Sequence, residues 1–83
     1  MEKIKLNSRW GDNYLEPLGD NKYKLHSELD HIRLGFKEDL KVITFVDPPG
    51  GPFLSVGSSL PEVNDSLIKT IDDNEDGIII TVE

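Results

Sequence analysis

The 83-residue chain contains no cysteine, no alanine and no glutamine. Without cysteine, neither disulfides nor thiolate zinc sites can reinforce the fold, and a reducing compartment suits it. Alanine is the strongest helix former, and exposed helix faces usually draw on both missing residues, so their absence argues against a helical domain. Long apolar runs are also missing. The longest is Ile78-Ile79-Ile80, far short of the roughly 20 residues of a membrane-spanning helix. No early segment has the basic start and apolar stretch of a signal peptide. The expectation is a cytoplasmic protein with no membrane partner, in which the sequon Asn64-Asp65-Ser66 carries no weight.

Positive charge is scarce in one half only. Residues 1–42 balance eight Lys and Arg against eight Asp and Glu, whereas residues 43–83 set Lys69 alone against eight acids, so the net charge of −7 resides in the second half. Direct nucleic-acid binding needs clustered cations to displace counterions from phosphates, and the chain lacks them. An acidic half suits solubility, a cation or a basic protein partner.

Present instead are eight Ile, five Val and six aromatic residues, a strand-forming set. Lys3 to Leu6 alternates polar and apolar. Trp10-Gly11-Asp12-Asn13 reads as a turn. Tyr14–Leu18 and Lys22–His26 flank Gly19-Asp20-Asn21 as a hairpin. A further strand is expected near 31–36, followed by a polar turn at Lys37-Glu38-Asp39. Lys41–Val46 is β-branched almost throughout and apolar on both faces, which predicts a central strand. Phe53–Val56 and Gly77–Val82 complete the set.

Residues 60–71 support two readings. Leu60, Val63, Leu67 and Ile71 recur at helical spacing behind a Ser59-x-x-Glu62 capping box. Leu67–Ile71 equally makes a strand, closing a hairpin with the Ile-rich end through a turn at Asp72–Gly77. The second reading is preferred. The expected fold is therefore all-β, a single domain over 1–83, as a small antiparallel sandwich or barrel of about six to eight short strands. The alternative is α+β with one helix at 60–71.

Two patterns nominate functional residues. Asp72-Asp73-Asn74-Glu75-Asp76-Gly77, with Glu83 at the twelfth position, resembles an EF-hand calcium loop. Asp72, Asn74 and Asp76 would supply oxygen ligands, the glycine the sharp turn, and Glu83 a bidentate carboxylate. Against this, residues 78–82 read as a strand and no second copy exists, so an acidic hairpin turn is the simpler reading. Asp47-Pro48-Pro49-Gly50-Gly51-Pro52 reads as a stiff loop between two apolar strands, either a partner-binding loop or an edge-strand guard. His26 and His31, with Asp30 between, lack a third ligand of telling spacing and read as surface histidines. No nucleophile motif surrounds the serines.

These observations order three classes of function. First comes a small acidic, non-catalytic interaction protein, an inhibitor, adaptor or accessory protein of a phage or bacterium. It would bind a macromolecular, basic protein partner, and exposed strand edges would also allow homo-oligomers. Second is a calcium-binding module using Asp72, Asn74, Asp76 and Glu83, the one cofactor the sequence suggests. An enzyme comes last, since so short a chain has little core to enclose a pocket.

Overall fold

The computed structural model describes residues 3–6, 13–27, 32–46 and 49–83, with side chains at 45, 46 and 49–52 left aside. These residues form nine strands and no α-helix: β1 (Ile4–Lys5), β2 (Asn13–Gly19), β3 (Lys22–Ser27), β4 (Ile32–Lys37), β5 (Leu40–Val46), β6 (Pro49–Ser55), β7 (Ser59–Leu60), β8 (Ser66–Asn74) and β9 (Gly77–Val82). The fold is a small antiparallel β barrel or sandwich. A curled six-stranded sheet runs β1-β2-β3-β9-β8-β7, and a three-stranded sheet runs β4-β5-β6.

Local chemistry explains the hairpins. Asp20 and Asn21 adopt positive φ (53° and 61°), as do Glu38 and Asp39 (53° and 65°). Paired residues at positive φ give two-residue turns whose twist matches the flanking strands, and Asp and Asn tolerate that region best. At the β8–β9 turn, Gly77 takes φ +111° and the Asp76 N–H donates to Asn74 Oδ1 at 2.9 Å. A glycine beyond Glu75-Asp76 and an Asn that caps its own turn hold this end in one shape.

Alternation then sorts the side chains. Leu15, Leu25, Ile80 and Ile71 project from β2, β3, β9 and β8 onto one face, meeting Ile43 and Leu54 from the smaller sheet. Leu6, Leu60, Val63, Ile68 and Val82 complete a core shared by both sheets. The two are stitched where β6 runs into β7. There Val56 N–H donates to the Lys41 carbonyl (3.0 Å), Gly57 N–H to the Ile68 carbonyl (2.9 Å) and Ile68 N–H to the Ser58 carbonyl (2.8 Å).

Residues 41–46 do form the middle strand of a sheet, and Val42 and Ile43, which point to opposite faces, are both buried. Over residues 60–71 the preferred strand hairpin forms and the alternative helix does not, while two other expectations need correction. Pro61–Val63 makes a single 3-10 turn, Leu60 before it offers no side-chain cap, and Asn64 leaves it at φ 52°, after which β8 pairs with β9. Asn13 belongs to no turn but opens β2 opposite Ser27. Pro49–Pro52 is no free loop but the start of β6, with Val46 opposite Pro49 and Thr44 opposite Pro52. Proline lacks an N–H for the ladder, so it fits here because β6 is an edge strand and the register shifts at both pairs. Asp47, Pro48, Asp30, His31 and the Trp10–Asp12 part of the expected turn lie outside the described residues.

Candidate functional surface

The β8–β9 hairpin packs on the core as far as Ile78 and carries its acidic residues toward the turn end. Ile71 and Ile80 sit opposite each other and are fully buried, while Asp72, Asp73, Asn74, Glu75 and Asp76 are all exposed. Four carboxylates thus crowd the tip of an ordered hairpin. Asp72 is paired, accepting a hydrogen bond from Lys41 Nζ on β5 at 3.1 Å. Both partners are well exposed, so the pair is worth about 0–1 kcal/mol and mainly orients the two side chains.

The calcium-loop residues are not gathered. Asp72 and Asn74 lie two apart on β8 and share a face, and Asp76 sits in the turn. Glu83 follows β9 at the opposite end, its N–H donating to the Leu67 carbonyl at 2.9 Å. At about 3.3 Å per residue, Gly77 and Glu83 are roughly 20 Å apart along the strand. An EF-hand loop instead coils so that its twelfth residue meets the first. Asn74 Oδ1 is also taken by the turn. Among the described residues no group of three His, Asp or Glu side chains is placed to hold a metal ion.

Three features were not apparent from sequence. The first is a side-chain hydrogen bond across β2–β3, where His26 Nε2 donates to Glu16 Oε1 at 2.9 Å. Nothing but the register that sets Glu16 against Lys24 and Tyr14 against His26 reveals it. The hydrogen bond from His26 holds the Glu16 carboxyl below its ordinary range, reinforced by the charges of His26, Lys3 and Lys24 against a desolvation effect that raises it. A carboxyl depressed in the folded state stabilises above its unfolded pKa, and this contribution fades as pH falls through the folded value. Carboxyl carbon NMR should therefore show the Glu16 titration midpoint rising in His26→Ala. An unchanged midpoint would mean that the pair does not form.

The second feature is Asn13, fully buried at 0% exposure, whose side-chain Oδ1 and Nδ2 have no hydrogen-bond partner among the described residues. The third is Phe36 on β4, 74% exposed although its cross-strand position faces the core side of the small sheet. An open groove of about 210 Å³ is lined by Asp39, Leu40, Lys41, Val56, Lys69 and Thr70. That is smaller than the roughly 300–1,000 Å³ of ordinary small-molecule sites.

Comparison with family models, with curated proteins and with solved structures yields no match of any kind. No helix of the described residues is long and apolar enough to cross a membrane.

Proposed function

We propose that the chain is a small non-catalytic interaction protein whose acidic β8–β9 hairpin docks on a basic macromolecular partner. The observation that carries this reading is the projection of Asp72, Asp73, Glu75 and Asp76 beyond the buried Ile71–Ile80 pair on a turn fixed by Gly77 and Asn74. Charges held on a preordered element recognise an opposite surface without paying to order themselves first. They also steer encounter over about a Debye length, ~8 Å at physiological salt.

The test is affinity capture from the source organism with the intact chain as bait, beside a variant carrying Asp72→Asn, Asp73→Asn, Glu75→Gln and Asp76→Asn. All four positions are exposed, so the variant should fold as the parent does. A basic protein retained by the parent, lost by the variant and unaffected by a calcium chelator is the expected result. Equal retention by both baits would overturn the reading, and retention abolished by the chelator would favour a cation-dependent one.

A further inference from the structure

The second surface lies on the other sheet and is independent of the acidic hairpin. Strand β4 is an edge: β5 covers one side, and no described strand lies along the other. Its outward-facing groups follow from its turn. Lys37 and Leu40 flank the two-residue turn Glu38-Asp39, and in such hairpins the flanking residues bond to each other. Because bonding alternates along an antiparallel strand, Arg33, Gly35 and Lys37 direct their N–H and C=O groups at β5. Ile32, Leu34 and Phe36 direct theirs outward. The same three residues place apolar side chains on the core side of the sheet, with Phe36 74% exposed.

We propose that this edge pairs with the same edge of a second copy, antiparallel about a two-fold axis through Leu34. Leu34 then lies opposite Leu34 of the second copy, and Ile32 opposite Phe36. All six outward N–H groups of the two strands find carbonyl partners, which is what a buried edge requires. The exposed Phe36 ring gains an Ile as its cross-strand neighbour, a favourable aromatic–β-branched pairing.

Charge decides between registers. Sliding by two residues sets Gly35 opposite itself and Arg33 opposite Lys37 twice over, and like charges directly opposite are destabilising. It also leaves Ile32 without its partner within the strand. The chosen register instead sets Arg33 opposite Gly35. A Cβ built on Gly35 meets nothing within 4 Å, so the guanidinium stem of the second copy has open space to cross. The two three-stranded sheets would become one of six strands. With six backbone bonds and three apolar pairs the interface is small, so the dimer should dissociate readily on dilution.

Sedimentation velocity across a concentration series of the intact chain tests this. The expected outcome is a monomer at low concentration passing to a dimer at high concentration. Phe36→Lys, which changes an exposed residue and adds an edge charge, should weaken the association by roughly tenfold or more while leaving the thermal melt in place. Isotope-filtered NMR on a mixed-label sample reads the register: contacts between Ile32 methyls and the Phe36 ring across the two copies are expected. A chain monomeric at every concentration would overturn the proposal. So would a dimer indifferent to Phe36→Lys, or one in which Leu34 contacts Phe36 across the copies while Ile32 does not.

Discussion

Replacing Ile71 by alanine is expected to destabilise the domain by about 2–5 kcal/mol, the range for deleting a buried isoleucine to alanine. Ile71 is fully buried opposite Ile80 and belongs to the core shared by both sheets. Its removal leaves a cavity that two sheets, each held by its own ladder, cannot readily close. The whole stability of a domain this short is about 4–12 kcal/mol on a per-residue scale. The loss should lower the melting temperature by about 4–8 °C for each kcal/mol. Leu67→Ala, one position before Ile68 but 45% exposed, serves as the control and should cost well under half as much. Similar effects of the two would mean that β8 is not inserted as described.

Asn13 should respond in the opposite sense. Its side chain is completely buried, and neither polar atom has a partner among the described residues. An unpaired buried polar group costs about 1–3 kcal/mol, and an apolar residue of like shape removes that penalty. Asn13→Leu, which keeps the branch at Cγ, is therefore expected to stabilise by about 1–3 kcal/mol in urea denaturation, less whatever its larger side chain costs in fit. Asn13→Asp should destabilise at neutral pH, because it buries a carboxylate, and should recover on acidification as the group is neutralised. An Asn13→Leu variant destabilised by more than the cost of overpacking, about 1–3 kcal/mol, would show that the amide is hydrogen-bonded.

How much of this could be read before the structure depends on whether the deciding interaction is local. The Gly19-Asp20-Asn21 turn and the strand at 41–46 announce themselves because turn chemistry and two-faced burial leave local marks. Residues 60–71 did not, since Leu60, Val63, Leu67 and Ile71 suit a helix as well as a turn followed by a strand. The bulge at Lys69 adds to the confusion: Ile68 pairs with Val82 and Thr70 with Thr81. That shift lets Ile68 and Ile71, three apart, both face the core, which strict alternation forbids. The placement of β9 between β3 and β8 is a long-range choice that no window of sequence contains.

The candidate residues divide along the same line. An acidic turn at the end of a hairpin was legible, because Asp, Asn and Gly favour such turns for backbone reasons. Glu83 completed a twelve-residue template by count, and only an extended β9 shows that count and space disagree. Pro49 to Pro52 looked like a loop because proline breaks central strands; an edge strand with shifted register accepts it. Phe36 belongs to an expected strand by its apolar character, and its position at the end of an edge strand is what leaves it exposed. Asn13 sits in a turn-rich stretch of sequence, so burial was the last state its composition suggested.

Salt dependence tests the central claim most directly. The affinity of the captured partner for the intact chain and for the variant neutralised at Asp72, Asp73, Glu75 and Asp76 should be measured from low to high ionic strength. The parent should bind far more tightly at low salt, by roughly tenfold or more over the series, because screening weakens surface charge pairs. The variant should bind weakly with a nearly flat response. An affinity for the parent that does not change with salt, or one the variant shares, would contradict docking through the acidic hairpin.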